Sequence, residues 1–189
     1  MDQVNGLLFK LKYMTYKDTL SEIMTDLSND ENVVFIGQQI VYRGNPMSTT
    51  LDTVAKNKMI EVPVMEESQM GMSLGLAMTG KLVVTFYPRW DFLILASNQL
   101  INHVDKYELM TNENVHIIVR VGKGSDEPLD PGHQHKGIYD NEYKSMSKSI
   151  NYYNCKTVKE LKESYNFAIK NKGIYVITEY PQLYSLEDE

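Results

Sequence analysis

Cysteine occurs once in the 189 residues, at Cys155, so no disulfide can form within the chain, and a reducing compartment, the cytoplasm, is the simplest setting. Apolar runs are short; none approaches the roughly 18 residues a membrane helix needs, and no membrane partner is expected. Positive charge is in deficit. Nineteen Lys and Arg against 25 Asp and Glu give a formal net charge of −6, whereas nucleic-acid surfaces are basic, so no nucleic-acid partner is expected either. Low-complexity linkers and internal repeats are missing, which argues for one domain. A secretion signal is not apparent, because Leu7-Leu8-Phe9 is too short an apolar core and Lys10 and Lys12 stand on its wrong side. What remains is a globular composition, 42% apolar and 23% charged.

Along the chain, strand-like and helix-like segments alternate. Thr15 reads as the cap of a helix with Leu20, Ile23, Met24 and Leu27 on one face, followed by a short buried strand at Val33 to Ile36. A polar loop, Gln38 to Met47, leads to a second short helix capped by Ser48 and running to about Asn57. Met59 to Val64 reads as a strand, Ser68 to Thr79 as a helix, and Leu82 to Phe86 as a β-branched and aromatic strand. Asp91 reads as the cap of a long helix with Leu93, Ala96, Leu100, Val104 and Tyr107 on one face, and Val115 to Val119 as another strand. Thr157-Val158-Lys159-Glu160 is a capping box opening a helix to about Lys170, before a last strand at Ile174 to Thr178. This order predicts an α/β fold, a mostly parallel sheet with helices on both faces.

Two places carry candidate chemistry. Glu66 stands at a strand-to-helix junction, where open parallel sheets hold their ligands; a carboxylate that only complements a helix dipole is the plain alternative. The stretch from Val121 to Tyr139, rich in Gly and Pro, follows a strand end and carries His133 and His135; it is longer than most structureless loops, and such loops are often functional. His-x-His without a Cys or a third ligand falls short of a zinc signature, so no metal site is assigned to this chain.

The run from Glu61 through Glu66, the glycines Gly71, Gly75 and Gly80, the strand to Phe86, Tyr87-Pro88-Arg89-Trp90, Asn98-Gln99-Leu100-Ile101-Asn102 and Lys106-Tyr107 resembles, without a gap, the pyrimidine-binding domain of thiamine diphosphate enzymes. The similarity extends from Met14 to about Tyr184 and is strongest to the beta subunit of 2-oxoacid (pyruvate) dehydrogenases, with transketolase next. Val62-Pro63-Val64 stands where Thr-Pro-Ile is usual, and Pro88-Arg89 departs from the common pattern. The resemblance implies a thiamine diphosphate-binding fold of the pyrimidine type over residues 14–189, preceded by an extension at 1–13. It implies that Glu66 is the catalytic, cofactor-binding glutamate that shares a proton with the pyrimidine ring, and that Tyr87 and Trp90 pack against that ring. Interior or interface packing is the alternative for Trp90. His135, in Gln134-His135-Lys136-Gly137, matches the family's Gln-His and is the candidate that acts on substrate, since imidazole exchanges protons near neutrality.

The Gly-Asp-Gly motif that holds magnesium and the diphosphate has no counterpart, and neither does the beta subunit's carboxy-terminal domain. The resemblance therefore implies that Mg2+ and the diphosphate are held by a separate alpha-type subunit, in a heterotetramer acting on a 2-oxoacid or a sugar. A noncatalytic interaction module that keeps the fold and modulates such an enzyme is the competing expectation.

Overall fold

The computed structural model describes residues 14–42, 44–127 and 130–186; the expected extension at 1–13 lies outside them. Helix α1 (Tyr16–Ser28) opens with the expected cap, as a box in which Thr15 and Asp18 bond each other's backbone N–H. Strand β1 (Val33–Gly37) follows, then a 3-10 segment, Pro46–Leu51. Asn45, not Ser48, caps that segment: its side chain accepts from the Ser48 N–H at 3.1 Å, and Pro46 sits where no donor is needed. Strand β2 (Met59–Glu61) stops short of Val64, and helix α2 (Glu66–Met78) starts two residues before Ser68. Next come β3 (Leu82–Tyr87), α3 (Trp90–Leu93), α4 (Tyr107–Thr111) and β4 (His116–Gly122). Helix α5 (Asp140–Met146), β5 (Ile150–Asn154), α6 (Val158–Lys170) and β6 (Ile174–Glu179) complete the order.

The six strands form one sheet in the order β2-β1-β3-β4-β6-β5, and every neighbouring pair is parallel. Period-two alternation in β3 explains why both faces need covering. Leu82, Val84 and Phe86 enter one core with Leu20 and Met24 of α1 and Leu161 and Tyr165 of α6, whereas Val83 and Tyr87 enter the other with Met70 of α2. Full burial of side chains of this size stabilises the fold by roughly 1.5 to 3 kcal/mol each. The α/β class expected from the alternation of elements is the class observed.

The long helix expected after Asp91 is broken into pieces. Helix α3 begins at Trp90, continues through a 3-10 turn at Ile94–Ala96 and a π segment at Gln99–Val104, and resumes as α4. The five apolar positions read from the sequence are all buried, so the periodicity located the face but not the breaks. In the wide turn the Asp105 N–H reaches back to Leu100, and the buried Asp105 carboxylate accepts from the N–H groups of Lys148 and Ser149. That contact ties the helix to the chain entering β5. Among the described residues no helix is long and apolar enough to cross a membrane.

At the carboxyl ends of β4 and β6, Arg120 and Glu179 form an ion pair with both side chains wholly buried. Arg120 Nε lies 2.5 Å and Nη2 2.7 Å from the two carboxylate oxygens, Nη1 donates to Thr50 at 3.1 Å, and Tyr165 donates to Glu179 at 2.7 Å. The guanidinium also lies 4.6 Å above the Phe86 ring centre. Removing one partner from such a pair strands a buried charge, so Glu179→Gln should lower stability by about 3 to 5 kcal/mol, read from its urea midpoint. An unchanged midpoint would show that water reaches the pair. Burial pushes the Cys155 thiol up to about 12, so native protein at neutral pH should leave a thiol reagent unconsumed until it unfolds. Rapid labelling of the folded chain would contradict that placement.

Candidate functional site

A cleft of about 490 Å³ opens where the carboxyl ends of the strands meet solvent. From β1 the chain crosses to β2 on one side and later to β3 on the other, so the cleft sits at the switch point of the sheet, where open α/β folds bind ligands. Gln38 follows β1, Glu66 follows β2, Arg89 follows β3 and Lys123 follows β4; all four line the cleft, with His135 and Phe92.

Glu66 is the first residue of α2 and only 5% exposed. Its Oε1 accepts from Gln38 Nε2 at 3.0 Å, while Oε2 has no hydrogen-bond partner among the described residues. Gln38 is held in turn by the turn after β1. There the Glu61 carboxylate accepts the N–H groups of Gln39, Ile40 and Val41 at 2.5, 2.9 and 2.8 Å, and Gln39 takes a positive φ of 58°. The end of β2 therefore shapes the end of β1. Helix α2 is fixed by Gln69, whose side-chain nitrogen donates to Thr85 Oγ1 and to the Phe86 carbonyl. Glu66 is thus carried on a helix start clamped to β3, with its carboxylate held by Gln38 from the turn after β1.

Tyr87 and Trp90, expected from the resemblance to pack against the pyrimidine ring, lie in the interior of this chain. Both have 0% exposure and belong to the interior core, and neither lines the cleft. The Tyr87 hydroxyl donates to the Glu66 carbonyl at 3.0 Å, which supports the carboxylate from beneath; burial raises its pKa, so it stays a neutral donor. The Trp90 indole donates to Thr178 at 3.0 Å and packs 5.3 Å from Tyr143, ring centre to ring centre. For Tyr87 the physical reason is strand parity: a side chain at the end of β3 that faces α2 is covered by that helix. The aromatic that does line the cleft is Phe92, two residues after Trp90.

The structure brings His135 to the cleft with Glu66. It ends a 3-10 turn, His133–His135, its ring lies 5.1 Å from Phe92, and its Nδ1 is buried with no partner among the described residues. His133 is exposed and does not line the cleft. The loop is drawn in at Gly124, where an added Cβ would lie 1.7 Å from the His135 carbonyl and 2.9 Å from Arg89 Nη1. Gly122 plays the same part against the Pro88 carbonyl, at 2.3 Å. Among the described residues no three potential metal ligands converge. Gly71 and Gly75, spaced on one helix face, have open or ordinary surroundings in this chain, so neither is required for packing within it.

Residues 12–185 match the model of the transketolase pyrimidine-binding domain. The chain belongs to that family. Its members are in general thiamine diphosphate-dependent. Curated relatives include the pyruvate dehydrogenase E1 component subunit beta of Gracilaria tenuistipitata var. liui, 26% identical over 169 residues, covering 87% of this chain and 51% of the relative. The corresponding subunit of Cyanidium caldarium is 25% identical over 177 residues, covering 91% and 53%. The chain spans about half the length of the curated relatives it matches. Among solved structures, a split gene transketolase, described as an inactive beta4 tetramer, superposes with a TM-score of 0.68 at 12% identity, over 90% of this chain and 52% of that one. The pyrimidine-domain fold expected from the sequence is therefore shown.

Gln38, Glu61, Phe92 and Gly124 were not singled out from sequence, although Glu61 precedes a proline at a strand end and Gly124 belongs to a Gly-x-Gly. Since the Gly124 contact is with backbone, Gly124→Ala should cost about 1 to 3 kcal/mol, with amide shifts concentrated at Arg89 and residues 132–136. Unmoved amides there would mean the loop does not pack on β4.

Proposed function

We propose that this chain is the pyrimidine-domain subunit of a two-chain thiamine diphosphate enzyme that acts on a 2-oxoacid or a ketose, by decarboxylation with acyl transfer or by ketol transfer. One observation carries the proposal: in a domain of this family, the Glu66 carboxylate lines the cleft at the sheet's switch point, and one of its oxygens has no hydrogen-bond partner among the described residues and can share a proton with a ligand nitrogen. That donor set fits an aminopyrimidine. When bound, thiamine diphosphate supplies a carbon nucleophile and an electron sink beside a carbonyl. This chain's part is to orient and protonate. Gln38 fixes one Glu66 oxygen, Tyr87 fixes the helix start, Phe92 offers an apolar wall, and His135 hands a proton to or from substrate oxygen. Trp90 holds the start of α3 to β6.

The diphosphate and Mg2+ belong, on this proposal, to an alpha-type companion chain, in a heterotetramer. The curated relatives are beta subunits by name, and the split gene transketolase is an inactive assembly of beta chains alone, which fits a domain that needs a complement. A reducing compartment such as the cytoplasm suits the buried free thiol of Cys155, although one relative, from Arabidopsis thaliana, is chloroplastic.

Calorimetric titration of thiamine diphosphate with magnesium should show binding to the chain mixed with its diphosphate-domain companion and none to the chain alone. In that mixture Glu66→Gln should leave assembly intact and cut turnover at least ~100-fold, the scale of lost acid-base catalysis. Binding without turnover in the wild-type mixture would favour a noncatalytic interaction module.

A further inference from the structure

Arg89 is the charge in the cleft that the cofactor assignment leaves unused. It enters directly after Pro88 at the end of β3, and its only hydrogen bond among the described residues runs from Nη1 to the His135 carbonyl at 3.5 Å, the limit of such a contact. A guanidinium has five N–H donors in a planar fork, so most of its capacity is unspent. No carboxylate among the described residues forms an ion pair with it, yet it is half-buried, and burial pulls it below the usual arginine range against the favourable pull of Asp91. A cation held partly out of water opposite a neutral carbonyl is costly unless an anion joins it.

Lys123 lines the cleft as well. Its backbone N–H donates to the Glu179 carbonyl at 2.8 Å, which fixes where its side chain emerges. Gly122 and Gly124 on either side let the backbones of Pro88 and His135 close around this point. Phe92 and Pro131 wall the slot. The acids that line the cleft are Glu66, at the start of α2, and Glu127, which is exposed. Arg89 and Lys123 bring two cationic side chains to this lining.

We propose that Arg89, assisted by Lys123, is a specificity-determining subsite for a terminal oxyanion, carboxylate or phosphate, on the substrate. The proposal rests on the cleft being the substrate side of the composite site described above. The planar fork of Arg89 takes two oxyanion oxygens at once, and Lys123 adds a point charge. The resulting specificity is for substrates with a second charged end, and a neutral analogue of the same length leaves the Arg89 charge unpaired.

The test uses inorganic phosphate and, separately, succinate as probes, titrated at constant ionic strength into the chain alone and followed by backbone and arginine side-chain NMR. Saturable shifts should centre on Arg89, Gly124 and His135. The Arg89→Met variant should weaken binding at least ~10-fold with the amide spectrum otherwise preserved, Arg89→Lys should recover part of it, and Glu66→Gln should not weaken it. Tighter phosphate binding assigns a phosphorylated substrate, and tighter succinate binding a dicarboxylate. Equal binding by Arg89→Met, or no saturable shift with either probe, overturns the subsite. So does an Arg89→Met chain that binds anions normally but no longer joins its companion, since Arg89 would then be a subunit contact. Because the Glu66→Gln arm reads anion binding without cofactor, failure of the subsite and failure of the thiamine diphosphate assignment are told apart.

Discussion

The buried pair of Arg120 and Glu179 sets the level at which the central strands end, and the cleft is built on that level. A buried ion pair gains from further hydrogen bonds to both partners, and here Thr50 and Tyr165 supply them while the Phe86 ring covers the guanidinium. The constraint passes outward along covalent neighbours. The Glu179 backbone carbonyl holds the Lys123 N–H, and Thr178, one residue earlier, holds the Trp90 indole. Lys123 and Arg89 are thus each one step from a residue fixed in the core.

A second, separate network serves Glu66. Glu61 gathers three N–H groups of the turn after β1, the turn presents Gln38, and Gln38 takes one oxygen of Glu66. Tyr87 and Gln69 fix the helix that carries it. Rigid strands and a helix start bear one side of the cleft, whereas His135 comes from a loop with one short turn, tied down at Gly124 and against Phe92.

How much of this was legible in the sequence depends on whether a residue's signal is local. The capping boxes at Thr15 and Thr157, the buried strands and the Glu66 junction announce themselves through neighbours in the chain, and the parallel α/β class follows from their order. Helix α5 and strand β5 went unread because the stretch is polar and β5 lies at the sheet edge, with Ile150 its only buried residue. Arg120 and Glu179 were overlooked although a lone charge of each sign inside apolar runs was itself a sign of pairing. Tyr87 and Trp90 show what motif position leaves out: only the fold shows that both are buried, Tyr87 bonded to the Glu66 carbonyl of α2 and Trp90 to Thr178 of β6.

The central claim is that Glu66 meets the cofactor's pyrimidine. The most direct measurement is a crystal structure of this chain with its diphosphate-domain companion, thiamine diphosphate and magnesium. A Glu66 carboxylate oxygen at hydrogen-bond distance, about 2.6 to 3.2 Å, from a pyrimidine ring nitrogen, with Gln38 still on the other oxygen, is the result expected. A cofactor ring seated elsewhere, with Glu66 still bonded only within its own chain, would contradict it.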